Sequence, residues 1–358
     1  MKTIPWNRFH MGRKHTKECF AVMTSATIKD VAALAGVSKA TASRVLSGHP
    51  ATSSEARAKV SAAAEQLDFR PNAQARGLRS AKTNVVGLLV SDVRNPFFAD
   101  LAHAVEQASL AAGYVILLGN ANESEEQQNR FLDTLIGQRV DGVIVAPQSD
   151  GSGSITSLLE RGIPTVFVDR TVQGISVPSV TTDSRQGINQ AVRHLAEQGH
   201  RRIGYIAGPQ SISTGRERLG AFVDAMLDAG LDQDAALTVF GDFQAASGAA
   251  ATEQLLRLDK PPTAILAADS PMAVGAVRKI HELGLRIGEE IALVAFDDID
   301  WFALLNPSLS VISHSVEDMG RAAVDLLVNV IDGGEPESVI LPSELIIRAS
   351  SSHRLSIR

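Results

Sequence analysis

The sequence predicts a small all-α head joined to a larger α/β body of two doubly wound parallel sheets. Residues 27–68 contain three short helical segments around Gly36, and from Asn84 onward apolar strand-like runs alternate with helical stretches. Alternation of fully apolar strands with helices is typical of parallel sheets covered on both faces. The body, about 275 residues long, is too large for one such sheet, so we expect two.

The composition is that of an ordinary globular chain with two or three domains. Of 358 residues, 44% are hydrophobic and 21% are charged. No apolar run reaches the ~18 residues that a membrane span needs. The single cysteine, Cys19, excludes an internal disulfide and a cysteine-based zinc finger, and it favours a reducing, cytoplasmic setting. The basic N-terminus lacks the apolar segment of a secretory signal.

Charge is distributed unevenly between the head and the body. Residues 1–82 hold 14 Lys and Arg against 5 Asp and Glu, whereas the remainder holds 20 against 35. A basic head on an acidic body is expected when only the head meets a polyanion. A basic solvated tail is the alternative that charge alone leaves open.

The first 68 residues divide into an arm and a three-helix segment. Residues 1–23 show no apolar periodicity, and we expect a disordered arm or an over-long gene start. Thr27-x-x-Asp30 then starts a helix that Gly36 breaks, and Ser38 caps a second helix. Thr52-x-x-Glu55 predicts the start of a third. Two short helices about a glycine turn, with a third in support, describe a helix-turn-helix.

The body is predicted as strands and helices in alternation. The expected strands are 85–90, 114–118, 143–146, 165–168, 203–207, 264–267 and 291–296. The expected helices are roughly 97–112, 123–138, 154–161, 184–199, 215–229, 245–258, 271–284 and 315–332. We expect the two sheets to join near 180–183, with the chain crossing back near 309–314.

Catalytic signatures are missing from the sequence. No glycine-rich dinucleotide fingerprint, P-loop lysine, nucleophile elbow or zinc-protease motif is present. The histidines that remain as candidates, His103, His194, His200 and His281, have no paired nucleophile and are interpreted as structural. The sequence therefore predicts a protein that is not an enzyme and that has no metal site and no cofactor.

The stretch 27–46, TIKDVAALAGVSKATASRVL, resembles the head of the lactose-repressor (LacI/GalR) family. The resemblance implies a recognition helix in the major groove, with Lys39 and Ala40 at the operator-reading positions and Arg44 one turn later. Arg44 can hold guanine O6 and N7 bidentately, and Ala40 offers apolar contact. The DNA-contacting set implied in the head is Thr27, Ser38, Lys39, Ala40, Thr41, Ser43 and Arg44.

Residues 70–83 resemble the hinge of the same family, a short helix that folds on the operator and inserts a leucine into the minor groove. Leu78 matches that leucine, and the flanking Arg76 and Arg79 can hold phosphates while the apolar side chain unstacks a base step. Asn72 completes the implied DNA-contacting residues. A plain linker is the alternative, although it leaves Leu78 unexplained.

The body resembles the family's periplasmic-binding-protein-like core, and the resemblance covers residues 24–348. It implies a small effector bound between two subdomains, where open α/β sheets place ligands. The implied effector-binding residues are Phe97, Phe98, Asp169, Thr214, Arg218, Phe243, Asp269 and Asp297. Arg218 and Asp297 can together hold a vicinal diol, or they form a structural ion pair. Asp269-Ser270 departs from the usual Asn-Asp, and we expect the Ser270 hydroxyl to cap the following helix.

The implied organisation starts with the arm (1–23), the helix-turn-helix domain (24–69) and the hinge (70–83). The effector-binding and dimerisation domain spans 84–348 and is followed by a tail (349–358). Subdomain 1 covers about 84–180 and 312–332, and subdomain 2 about 183–309 and 335–348. We expect a repressor that binds operator DNA as a homodimer or higher oligomer.

The expected effector is a sugar or sugar derivative, or alternatively a purine or nucleoside acting as corepressor. Both signs of the response stay open, because an effector shifts DNA affinity only as far as it binds two protein states differently. Two other classes of protein fit this sequence less well. The sugar-binding protein of an importer needs a signal peptide and has no basic helical head, and an enzyme with a regulatory head needs a catalytic constellation.

Overall fold

A computed structural model describes residues 26–47, 49–69, 82–151, 153–231 and 234–352. The chain divides into two compact units, Met1–Ala81 and Lys82–Arg358. The predicted arm (1–23) and nearly all of the predicted hinge (70–81) lie outside the described residues. No helix in the described ranges is long and apolar enough to cross a membrane.

The N-terminal unit is a three-helix cluster made of α1 (Ile28–Leu34), α2 (Lys39–Leu46) and α3 (Ser54–Gln66). The turn between α1 and α2 contains Gly36, whose φ of +64° is a conformation that glycine adopts without a Cβ penalty. The Ser38 hydroxyl accepts a 3.1 Å hydrogen bond from the Thr41 N–H and so caps α2. The buried core of this unit consists of Val31, Ala32, Ala35, Ala42, Val60 and Ala63.

The start of α3 differs from the prediction by one residue. Ser53, and not Thr52, caps the helix, because its hydroxyl accepts from the Ala56 N–H at 3.2 Å. The Thr52 hydroxyl instead donates to the His49 carbonyl and accepts from Arg57. A threonine held in the preceding turn is not free to cap the helix.

The second unit alternates strands with helices along the chain. Its strands are β1 (Val85–Val90), β2 (Val115–Asn120), β3 (Gly142–Val145), β4 (Thr165–Val168), β5 (Ser179–Thr182), β6 (Ile203–Ala207), β7 (Thr238–Phe240), β8 (Ala264–Ala267), β9 (Ala292–Phe296), β10 (Ser310–Ser313), β11 (Val339–Leu341) and β12 (Glu344–Ile346). Its helices are α4 (Pro96–Ala111), α5 (Glu125–Gln138), α6 (Gly153–Glu160), α7 (Ser184–Glu197), α8 (Ser213–Asp228), α9 (Ala245–Leu256), α10 (Ser270–Glu282) and α11 (Val316–Ile331).

The strands form two six-stranded sheets with the same order of strands. The first sheet is β11-β5-β4-β3-β1-β2 and the second is β12-β10-β9-β8-β6-β7. The strand pairs are parallel apart from β10 with β12. The predicted class, a helical head with a body of two doubly wound sheets, is therefore confirmed. We call the parts built on these sheets the first lobe and the second lobe.

The chain passes between the lobes after β5, after β10 and after β11. The Ser343 hydroxyl links two of these crossings, since it donates to the Asp183 carbonyl at 2.6 Å and accepts from the Gly187 N–H at 3.1 Å. The predicted boundaries need correction here. Strand β11 lies within the range predicted for the second subdomain (335–348), but it pairs with β5 in the first sheet. Strand β10 (310–313) belongs to the second sheet, although residues from 312 onward were predicted in the first subdomain.

The prediction of a C-terminal tail over 349–358 is also wrong for residues 349–351. Ala349–Ser351 form a 3-10 turn in which Ser350 and Ser351 are buried. The Ser350 hydroxyl donates to the Leu293 carbonyl of β9 at 2.6 Å. The His194 ring lies 2.9 Å from the Ser351 hydroxyl, so this turn is part of the second lobe.

Helices α9 and α10 of the second lobe pack at very short range because glycines face the partner backbone. A Cβ on Gly275 of α10 would lie 2.0 Å from the Ala245 carbonyl oxygen, and one on Gly248 of α9 would lie 2.2 Å from the Met272 carbonyl oxygen. Backbone atoms cannot move aside as a side chain can. This contact fixes α10, and with it the residues at the start of that helix.

We predict that Gly275→Ala lowers the free energy of unfolding by roughly 1–3 kcal/mol, since overpacking displaces backbone. Gly220→Ala in α8 is the matched control, because its Cβ would meet open space, and it should be neutral or stabilising by about 0.5–1 kcal/mol. Thermal unfolding monitored by circular dichroism measures both. Equal melting temperatures for the two variants would contradict this account of the α9–α10 contact.

Candidate functional site

The exposed face of α2 presents the residues predicted to meet bases. Lys39, Ala40 and Arg44 are exposed, whereas Ala42 between them is buried in the head's core. No ion pair holds Lys39 or Arg44 within the described part of the chain. A short helix with one buried side and an exposed cationic side fits the geometry of a recognition helix.

The other head residues surround the ends of α1 and α2. The Thr27 N–H and hydroxyl both donate to the Asp30 carboxylate, at 2.8 and 2.7 Å, and start α1. Ser38 and Thr41 lie in the first turn of α2 with their hydroxyls 2.9 Å apart, and Ser43 is half-buried. The predicted hinge contacts Asn72, Arg76, Leu78 and Arg79 lie outside the described residues.

The second candidate site lies where the carboxyl ends of the two sheets meet. Asp169 follows β4 in the first lobe, and Asp297 follows β9 in the second, while Arg218 lies on α8 after β6. All three are buried. Asp169, Phe243 and Asp297 have φ values of +63°, +62° and +69°. Such backbone conformations are rare outside glycine and concentrate at binding sites.

Arg218 occupies the centre of this cleft. Its Nη1 donates to the Ala268 carbonyl at 2.7 Å, and its guanidinium carbon lies 3.7 Å from the centroid of the Phe296 ring. Its Nη2 lies 3.8 Å from Asp169 Oδ1, so the ion pair spans the two lobes. Its Nε is buried and makes no hydrogen bond with described residues. The side chain is therefore held in place but retains an unused donor.

Asp297 and His314 contribute further unused polar atoms. The Ser270 backbone N–H acts to lower the pKa of Asp297, yet the buried Oδ1 of Asp297 has no hydrogen-bond partner among the described residues. His314 follows β10, its side chain is 1% exposed, and its Nδ1 lies 4.0 Å from that oxygen. Neither ring nitrogen of His314 has a hydrogen-bond partner in the described ranges. Buried polar groups are rarely left unpaired, so a ligand with matching groups is indicated.

Burial controls the ionisation of these groups. It raises the pKa of Asp297 and of Asp169, and the positive charge of Arg218 opposes both shifts. Burial lowers the pKa of His314 to about 4, so this ring is neutral at pH 7. A neutral imidazole has one donor and one acceptor nitrogen, both suited to a ligand hydroxyl.

The aromatic residues of the cleft lie near a guanidinium. Phe97 and Phe98 are buried at the start of α4 and contact each other edge to face. That these two rings pack one face of the effector and Phe243 the other stays a prediction. In the structure, the guanidinium of Arg170 lies 5.7 Å from the centroid of Phe98 and 5.3 Å from that of Phe243.

Arg170 is fixed in that position by polar contacts within the first lobe. Its two terminal nitrogens bond both carboxylate oxygens of Glu123, at 2.9 and 3.0 Å, and Nη1 also donates to Gln148 at 3.2 Å. Arg170 directly follows Asp169 in the sequence but was not among the predicted site residues. His314 was also missed, since it appeared only as the end of a chain crossing.

The capping role that was predicted for Ser270 belongs to Asp269. Asp269 Oδ1 accepts from the Met272 N–H at 2.9 Å and caps α10, so the expectation that Ser270 caps this helix is wrong. The Ser270 hydroxyl instead donates to Asn95 Oδ1 of the first lobe at 3.2 Å. A carboxylate placed before a helix is the stronger cap, because it also meets the helix dipole. Thr214 is buried in the first turn of α8.

Further contacts join the lobes around the cleft. The Thr171 N–H donates to the Ser213 hydroxyl at 2.9 Å, and Arg216 pairs with Asp150 at 2.8 Å. Arg94 donates to Gln244 at 3.4 Å. The two lobes are thus in direct contact around the cleft, which is a closed arrangement.

Family models match both parts of the chain. Residues 27–72 match the family described as "Bacterial regulatory proteins, lacI family", and residues 192–351 match "Periplasmic binding protein-like domain". The chain is 34% identical to the HTH-type transcriptional regulator GalR of Escherichia coli (strain K12) over 91% of its own length and 95% of that protein.

Two solved structures extend the similarity to the fold. The Lac repressor dimer bound to operator and the anti-inducer ONPF shares 29% identity, with a TM-score of 0.82, over 91% of this chain and 99% of that one. The CelR–cellobiose complex shares 34% identity with a TM-score of 0.70, over the same fractions of the two chains. The chain therefore belongs to the LacI family of bacterial regulatory proteins and is a DNA-binding transcriptional regulator, not an enzyme.

Proposed function

We propose that this regulator is a cytoplasmic repressor whose affinity for its operator is switched by a small sugar or sugar derivative bound between the lobes. The observation that carries the proposal is the set of buried, unpaired polar atoms of Arg218, Asp297 and His314. Their donors and acceptors suit vicinal hydroxyls, which both donate and accept. The similar CelR structure is a complex with cellobiose, which supports a sugar.

The switch follows from the two-lobed geometry. Arg218 and Asp169 come from different lobes, so a ligand that bonds both groups binds the closed state better than an open one. Such a ligand shifts the population toward the closed state by its difference in affinity for the two states. The sign of the effect on DNA depends on which state binds the operator.

The repressor acts as a homodimer in this proposal. One three-helix head contacts too few bases for specificity, and two heads fit half-sites roughly one helical turn apart. The similar Lac repressor structure is a dimer on its operator. Edge strand β2 exposes Val115 and Leu118, at 57% and 48%, and we assign this apolar edge to the contact with a second copy.

A thermal-shift screen identifies the effector class. Ligand that binds the native state raises the melting temperature by mass action. The panel contains pentoses, hexoses, cellobiose, nucleosides and purines. A higher melting temperature with a sugar supports the proposal. An increase only with nucleosides or purines would instead favour the alternative effector class.

We predict that Arg44→Ala reduces affinity for the operator by roughly 1–3 kcal/mol, the value of one bidentate base contact, and relaxes specificity at one position. Lys59→Ala on α3 is the control, because it removes an exposed charge that pairs with Glu55. Fluorescence anisotropy with operator and scrambled duplexes measures both. An equal loss of affinity for both duplexes would show that Arg44 contacts a phosphate and not a base.

We predict that Leu78→Ala weakens operator binding substantially and leaves effector binding unchanged, because a leucine wedge and the cleft are separate sites. Gel-shift bending assays and calorimetry provide the two readouts. If the variant bends and binds the operator like the parent, the hinge assignment is wrong.

We predict that Arg218→Met and Asp297→Asn each weaken effector binding tenfold to a thousandfold, since one partner is left without its match. Operator affinity without effector should stay near that of the parent. Arg257→Ala, in an exposed pair with Glu253, is the control and should respond normally. Full induction of either cleft variant would show that the two residues form a structural pair and that the effector binds elsewhere.

A further inference from the structure

If the cleft has the proposed function, its carboxyl groups bear on the charge of the effector. Two of these groups follow neighbouring strands of the second lobe. Strands β8 and β9 pair in parallel with Ala267 opposite Ala295. Asp269 and Asp297 each come two residues after this pair. The charge of Asp297 contributes to the raised pKa of Asp269, so the two carboxyl groups lie near each other in the cleft.

Few positive groups compensate these two carboxylates. Asp269 accepts from the Met272 N–H in the first turn of α10, and the Ser270 N–H of the same turn acts to lower the pKa of Asp297. In the ranges that the structure describes, no lysine or arginine lies within 4.0 Å of either one. The His314 ring near Asp297 is neutral, because burial lowers its pKa to about 4.

The cleft's two guanidinium groups lie within 4.0 Å of Glu123 or Asp169. Arg170 is bonded to both carboxylate oxygens of Glu123 and faces Asp169 at 3.5 Å. Arg218 lies 3.8 Å from Asp169. The carboxyl groups of Glu123, Asp169, Asp269 and Asp297 thus outnumber the two guanidinium groups, whose Nε atoms make no hydrogen bond with described residues. Burial and the charge of Asp297 both raise the pKa of Asp269 well above its usual value, which agrees with this crowding.

We propose that the cleft selects an uncharged, hydroxyl-rich effector and rejects its anionic derivatives, and that Asp269 sets this selectivity. An excess of carboxyl over guanidinium groups favours a ligand that brings neutral hydroxyl groups rather than a further negative charge. A phosphate or carboxylate group in the same place has no proton to donate at pH 7. It also adds a like charge where water is excluded and repulsion is little screened.

The discriminating variant is Asp269→Asn. Asparagine has nearly the same shape, its Oδ1 can still cap the Met272 N–H, and it replaces a negative acceptor by a neutral amide with two donors. The control is Asp259→Asn, which removes the same charge from an exposed residue outside the cleft. Circular dichroism and the melting temperature show whether each variant is folded.

Isothermal titration calorimetry on the full-length protein then compares matched pairs, namely D-ribose with D-ribose 5-phosphate, D-galactose with D-galacturonate, and adenosine with adenosine monophosphate. For the pair that binds, the parent should bind the neutral member at least tenfold more tightly than the anionic one. Asp269→Asn should narrow that ratio at least threefold, and Asp259→Asn should leave it unchanged.

The outcomes separate the two proposals. Tight binding of an anionic member to the parent, or an unchanged ratio in Asp269→Asn, overturns the charge selectivity and leaves the effector cleft intact. Binding of neither member of any pair contradicts the proposed function itself.

Discussion

Ionised side chains are costly to bury unless each finds a partner, and the cluster of Arg218, Asp169 and Asp297 meets that requirement only in part. Arg218 holds the Ala268 carbonyl and faces Asp169 across the lobes, yet its Nε and Asp297 Oδ1 remain without partners among the described residues. This constraint supports the proposal that the closed cleft holds a ligand. In that proposal ligand binding is coupled to lobe closure, because the ion pair between Arg218 and Asp169 joins the two lobes.

The rest of the fold positions this cluster. Both sheets repeat one strand order, so the carboxyl ends of parallel strands from both lobes meet at a single cleft. Left-handed backbone conformations at Asp169 and Asp297 direct the chain away from the strand immediately after its last residue. The close packing of α9 on α10 through Gly248 and Gly275 then fixes the helix end that both Asp269 and Asp297 use. Stability in the second lobe and ligand binding therefore depend on the same contacts.

Elements and site residues could be predicted where the sequence carries a physical pattern that marks them. Helices such as α4 and α11 and strands such as β1 were predicted because apolar periodicity or an unbroken apolar run survives in the sequence. Strands β5, β7, β10, β11 and β12 were missed, because each has only three or four residues, and all but β11 contain serine, threonine or glutamate. Asp297 and Arg218 were found through the family resemblance. His314 was not, since a lone histidine after a short strand has no pattern, and only its burial beside Asp297 reveals it.

The central claim is that an incompletely paired charge cluster makes closure depend on ligand, and a distance across the cleft tests it most directly. Spin labels on exposed residues of the two lobes, at Glu125→Cys and Ala246→Cys in a Cys19→Ser background, report that distance by double electron–electron resonance. The sugar that raises the melting temperature in the screen is the added probe. The account predicts a long or broad distribution for the free protein and a short, narrow one at saturation. A short, narrow distribution already present without sugar, and unchanged by it, would contradict the account.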